Sequence, residues 1–141
     1  MRGIKEKNPE RGAALVELAI VLPLLLLILV GIIEFGLLFY NQQVLTNSSR
    51  EGARAGIAHL EEVKIKEIAV AYCNDRLITF DTLQNLINDD VTVVGELTDY
   101  PENLTVTVSY DYSFLIPKLL GLGTSMQLST ETVMNMEVKE E

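Results

Sequence analysis

Sixteen consecutive residues, Leu18 to Ile33, are apolar except for Pro23 and Gly31. A run of that kind must be hidden from water, and its length decides how. Beyond Glu34 the apolar character resumes through Phe35-Gly36-Leu37-Leu38-Phe39-Tyr40, so the 28 residues from Ala13 to Tyr40 contain only two charges, Glu17 and Glu34. As one helix they would extend about 42 Å, enough to cross a hydrocarbon layer of about 30 Å. The sequence therefore predicts a transmembrane helix over residues 13–40. A cleaved secretory signal is the rival, but its apolar stretch is normally about 7–15 residues with a small-x-small site close behind. Glu34 to Gln43 offers no such site, and Ala53-Arg54-Ala55 lies well past the run.

Charge is segregated around this segment. The chain has 141 residues, with 20 Asp and Glu against 11 Lys and Arg, yet its mean hydropathy is +0.24. Arg2, Lys5, Lys7 and Arg11 make residues 1–12 a basic leader, whereas residues 41–141 carry 16 acidic and 7 basic side chains. Arg50 and Arg54 are the only cations soon after Tyr40. The excess of basic residues before the helix favours an N-terminus inside, with residues 41–141 outside the cytoplasm. An acidic domain without a basic stripe argues against nucleic-acid binding. One cysteine, Cys73, and one histidine, His59, exclude an intrachain disulfide and multi-cysteine or paired-histidine metal sites.

The front of the helix combines Glu10-Arg11-Gly12, the small pair Ala13-Ala14, and Glu17. A carboxylate at the edge of an apolar helix needs a partner or a purpose, since an ionised one at mid-bilayer costs about 2.5–3.5 kcal/mol. Cleavage after Gly12 would supply one. The new α-ammonium of Ala13 lies four residues from Glu17, on the same helical face, and the two could meet within one chain or between neighbouring chains of a bundle. Gly12 suits a cleaved bond because it tolerates unusual backbone geometry. The alternative is an uncut anchor with Glu17 at headgroup level.

Gly12-Ala13-Ala14-Leu15-Val16-Glu17 resembles the type IV prepilin processing motif, with glycine at −1 and glutamate at +5. The longer run Arg11 to Leu24, then Gly31-Ile32-Ile33-Glu34-Phe35-Gly36, Gln42-Gln43 and Arg50-Glu51-Gly52-Ala53-Arg54-Ala55-Gly56, resembles the TadE-like family. The resemblance is close over residues 11–57 and only general in layout beyond. It implies a pseudopilin or minor pilin of the Tad (Flp, tight adherence) pilus assembly system. It also implies processing by a prepilin peptidase on the cytoplasmic side, and partners among other pilins or pseudopilins and inner-membrane Tad assembly proteins. Leu18 departs from the tyrosine usual after the motif glutamate in Flp major pilins, and the chain is much longer than such a pilin. Both points argue for an accessory subunit. Processing falls on Gly12, Ala13 and Glu17; Glu17, Pro23, Glu34, Gly36, Gly52 and Gly56 are the candidates for assembly and helix packing. Pro23 removes a backbone donor and favours a kink. Glu34, about 24 Å beyond Leu18, is expected near the outer interface or against a partner helix.

Asn41 to Ala58 is expected to continue the helix, with Gly52 and Gly56 forming a small-residue face against which a backbone or sheet packs closely. Arg50 and Arg54 are expected to pair with surface carboxylates, a site for an acidic partner being the less favoured alternative. Glu61 to Asn88 has helical spacing, with Val63, Ile65, Ile68, Ala69 and Tyr72 as one stripe and Leu83, Leu86 and Ile87 as another, broken near Asn74-Asp75 or Thr79-Phe80-Asp81. The period then becomes two: Val91–Val94, Leu104–Tyr110 and Ser125–Val138 read as strands. Leu115 to Leu122 reads as one or two helical turns. The predicted class is α+β, a single N-terminal transmembrane helix extending into a small pseudopilin-like domain, residues 41–141, with about three antiparallel strands.

Other chemistry is weakly signalled. Gly121-Leu122-Gly123 lacks the third glycine of a phosphate loop. Asp75, Asp81, Asp89, Asp90, Glu96 and Asp99 do not follow a calcium-loop spacing. A His59–Cys73 dyad would need a cleft and an orienting group. The sequence thus predicts a non-enzymatic assembly component without cofactor, metal, small-molecule substrate or nucleic acid, in a bacterial inner membrane with its domain periplasmic or extracellular. An uncleaved single-pass scaffold with an acidic binding domain is the first alternative; a membrane-tethered sensor or hydrolase is the second.

Overall fold

The computed structural model describes residues 9–79, 85–95, 103–115 and 125–135, with side chains from Gly12 onward. Helix α1 runs from Pro9 to Ile57, 49 residues without a break, or about 73 Å at the rise of an α-helix. Pro9 opens it, where a missing N–H costs nothing. Pro23 lies inside it, and the helix continues through that turn. The C-terminus is closed by two reversed bonds: the His59 N–H donates to the Gly56 carbonyl at 2.9 Å and the Leu60 N–H to the Ala55 carbonyl at 3.3 Å. That closure needs a left-handed residue, and His59 supplies it at φ +60°.

Helix α2, Glu62–Asn74, packs back on the outer half of α1. Its buried line is Ile65, Ala69 and Cys73, spaced by four. This corrects the expected stripe: Val63 is 57% and Ile68 36% exposed, because only the line ending in the small Ala69 and Cys73 can approach the glycines of α1. The second expected stripe is corrected as well. Leu86 and Ile87 are not helical; they precede a single 3-10 turn, Asn88–Asp90. Asp90 forms that turn by accepting the Ile87 N–H at 2.8 Å.

Three strands follow: β1 Val91–Val94, β2 Asn103–Ser113 and β3 Ser125–Asn135. They form one antiparallel sheet in the order β1-β2-β3, with Val91 opposite Val108 and Ser109 opposite Ser129. Strand alternation sends Leu104, Val106, Val108, Tyr110 and Tyr112 into the core and leaves Thr105, Thr107, Ser109 and Asp111 on the outer face. Gly95 ends β1 at φ +138°, where a Cβ would stand 2.8 Å from the Asn103 carbonyl oxygen. The sheet lies against α1 and α2, and Leu45, Ile65, Leu104, Val106, Val108 and Tyr112 are the heart of the core between them.

The α+β class and the sheet packed on the end of a long helix are as the sequence predicts. Phe80, Asp81, Leu83, Glu96, Asp99, the helical piece beyond Leu115, Gly121-Leu122-Gly123 and the tail of the third strand at 136–138 lie outside the described residues.

Candidate functional site

The front of α1 is bare. Every residue from Gly12 to Leu29 is exposed, and the apolar ones include Leu15 at 67%, Ile20 at 72% and Leu27 at 56%. Gly12 and Ala13 lie in the early turns of the helix, and Glu17 stands out beside Ala14, Leu18 and Val21. Gly36 is open too, with nothing within 4 Å of where a Cβ would stand. One helix among the described residues, α1, is long and apolar enough to cross a membrane, and its stretch from Gly12 to Leu29 is not used by the folded domain.

Glu34 behaves differently from the residues around it. It is 5% exposed, and its carboxylate accepts the Leu115 backbone N–H where the chain leaves β2. Tyr112, 1% exposed, lies within electrostatic reach of that carboxylate without the geometry of a hydrogen bond. Burial first, and then the charge of Glu34, push the Tyr112 phenol up to about 12. The residue expected at a headgroup or against a partner helix is therefore engaged by its own domain. The domain's packing begins there, within the segment assigned to the membrane.

Further out, α1 is tied to the rest of the fold by polar contacts on one side. Asn41 is fully buried; its Nδ2 donates to the Ile78 carbonyl at 2.7 Å and its Oδ1 accepts the Ile78 N–H at 3.0 Å. Asn74 clamps Leu86 in the same two-bond manner, at 3.0 and 2.8 Å. Each amide acts like one residue of a neighbouring strand, pinning a loop whose backbone would otherwise lack partners. Toward β3, Gln42 Nε2 donates to the Ser129 carbonyl at 3.2 Å, and the Ser49 and Thr132 hydroxyls meet at 2.6 Å. None of these roles was visible in the sequence. The usable signal was a polar side chain on the same helical face as the buried Leu45 and Ser48.

Gly52 and Gly56 face the chain's own core. A Cβ on Gly52 would stand 3.2 Å from Val106 Cγ1 and 3.4 Å from Ala69 Cβ; one on Gly56 would stand 2.0 Å from Leu104 Cδ2. Arg50 and Arg54 point away from that core, are exposed, and form no ion pair with the described residues, contrary to the expected surface pairing. Lys64 pairs with Glu67 and Lys66 with Glu62, both at 2.8 Å. Arg76 lies 3.4 Å from Asp75 and 4.1 Å from the centre of the Tyr72 ring.

Hydrolytic chemistry finds no footing among the described residues. Cys73 is buried, and burial pushes its thiol up against the smaller opposing effect of the Ser48 hydroxyl, which disfavours the nucleophilic thiolate. His59 sits before the start of α2 and Cys73 near its end, about 20 Å apart by helix rise. No three His, Cys, Asp or Glu side chains converge as a metal site among the described residues.

A bare apolar helix, long enough to cross a membrane and carried by a small α+β domain, is an architecture that fits a single-pass membrane protein. Comparison with known families narrows this: residues 12–54 match the family model described as TadE-like protein, the family that the sequence motifs resemble. The matched stretch begins at Gly12, contains Glu17, Pro23, Glu34 and Gly36, and ends at Arg54. Neither a curated protein nor a solved structure matches the chain.

Proposed function

We propose that this chain is a pseudopilin-like component of a Tad pilus assembly machine. It is inserted with residues 1–12 on the cytoplasmic side and residues 41–141 outside, cut between Gly12 and Ala13 by a prepilin peptidase, and drawn beside other pilin-class helices. The observation that carries this reading is the stretch from Gly12 to Leu29, unused by the fold and included in the TadE-like match. Helices of neighbouring subunits or lipid would cover its apolar side chains, and Glu17 would meet an α-ammonium, its own or a neighbour's.

Before cleavage the Gly12–Ala13 bond lies inside α1, so the peptidase has to unwind the first turns to reach it. Gly12 eases that step, since glycine weakens a helix by about 0.5–1 kcal/mol relative to alanine.

The test is the intact mass and N-terminal residue of the protein extracted from its own cell membranes. A chain beginning at Ala13 is the expected result, with Glu17→Ala then reducing its co-purification with other pilin-class subunits. A chain still carrying residues 1–12 would leave an uncut anchor and remove the pseudopilin mechanism.

A further inference from the structure

Once α2 and the sheet are in place, one face of α1 stays open along its outer half. Gly36, Tyr40, Gln43, Arg50 and Arg54 are exposed on it and Asn47 is half-buried. These six positions are separated alternately by four and three residues, the spacing of a seam between two paired helices. The same alternation continues inward through Ile33 and Leu29, both exposed. The chemistry of the seam changes along its length. It is apolar as far as Tyr40, then carries an amide pair, Gln43 Nε2 donating to Asn47 Oδ1 at 3.3 Å, then two guanidinium groups one turn apart.

Those guanidiniums are in the wrong place for lipid. Arg50 lies sixteen residues beyond Glu34, about 24 Å along the helix, which is past a headgroup layer of roughly 5–8 Å. They also meet no carboxylate among the described residues of a chain of net charge −9, whereas Lys64, Lys66 and Arg76 all reach one. A second copy of this chain, lying parallel at the same height, would set Arg50 against Arg50 and Arg54 against Arg54. The Glu51 side chains at the flank would neutralise only half of that charge. A single polar or charged seam position is enough to select partner and register in paired helices, and like charges opposed across a seam work against the wrong pairing.

We infer that this face pairs with a helix of a different chain that carries Asp or Glu at the level of Arg50 and Arg54, and that the two arginines keep copies of this chain from pairing face to face. The inference rests on the pilin-class reading above, and it names the partner's chemistry.

A charge-swapped copy of the chain serves as the probe. Full-length protein bearing donor or acceptor fluorophores at its C-terminus is reconstituted in phosphatidylcholine vesicles, and energy transfer is measured for three mixtures. These are wild type with wild type, Arg50→Glu/Arg54→Glu with itself, and wild type with that variant. The mixed pair is expected to associate about tenfold or more tightly than either like pair, and about 0.5 M salt is expected to remove the difference. Arg50→Gln/Arg54→Gln, which deletes the repulsion without adding charge, is expected to strengthen self-association. Equal association in all mixtures, no transfer in any of them, or the same gain from Lys64→Glu/Lys66→Glu would overturn the inference. Both arginines are exposed, so the variants should melt with wild type. The state of the Gly12–Ala13 bond is read separately by mass, so a failure of the processing reading is distinguishable from a failure here.

Discussion

Glu34 and Tyr112 illustrate how a carboxylate is kept inside an apolar setting. The carboxylate accepts a backbone N–H at the end of β2, and the phenol beside it is held in its neutral form by burial and by that negative charge. Replacing Glu34 with Ala strips the Leu115 N–H of its acceptor and should cost about 2–3 kcal/mol in a denaturant melt. Glu34→Gln keeps an acceptor and should cost less. Because the variant removes the charge but not the burial, Tyr112 should titrate at lower pH in Glu34→Gln, read by the ultraviolet absorbance of tyrosinate. In wild type the folded phenol is raised above its unfolded value near 10 to about 12. The folded state then binds the proton more tightly than the unfolded one, so stability holds below pH 10 and declines as pH rises through that window, by about 1.4 kcal/mol per unit.

Between elements, the closest approach is at Gly56. Its missing side chain makes room for Leu104, which is fully buried and cannot swing aside into solvent. Gly56→Ala should therefore destabilise by about 1–3 kcal/mol despite the better helix propensity of alanine. Gly52→Ala meets Val106 and Ala69 at 3.2–3.4 Å and should stay within about 1 kcal/mol of wild type; thermal melts of the two variants separate the cases. This is also the scale at which sequence reading gains and loses its grip. The length of α1 was legible from an unbroken apolar run and its polar continuation, the strand at Leu104–Tyr110 from a strict alternation, and the paired glycines marked a close contact. The burial of α2 was misread because Val63 and Ile68 satisfy a helical stripe as well as Ile65 and Cys73 do. Only the glycines of α1 decide between the two faces. Asn41 and Asn74 were illegible for another reason: each acts on a backbone group 37 or 12 residues away, and no local pattern encodes such a partner. Of the candidate site, Gly12 to Glu17 stood out as a spaced motif, whereas the inward turn of Glu34 required knowing where β2 ends.

For the whole molecule, the helix and the domain share residues. Glu34, Leu38 and Asn41 belong to the packed region, although 34–40 read as membrane segment in the sequence. A fragment beginning at Val30 should therefore melt higher than one beginning at Asn41, because the shorter one lacks the Glu34 acceptor and the Leu38 contact. Scanning calorimetry of the two in mild detergent would show it. The unbroken course of α1 has a mechanical meaning as well. A linker between anchor and domain would absorb a pull as slack; a rod whose far end is clamped by two glycine contacts and an asparagine delivers it. Axial displacement of the bare end by one turn, about 5.4 Å, must carry the sheet with it by the same amount. The helix thus transmits a movement of its bare end to the sheet with no slack between them.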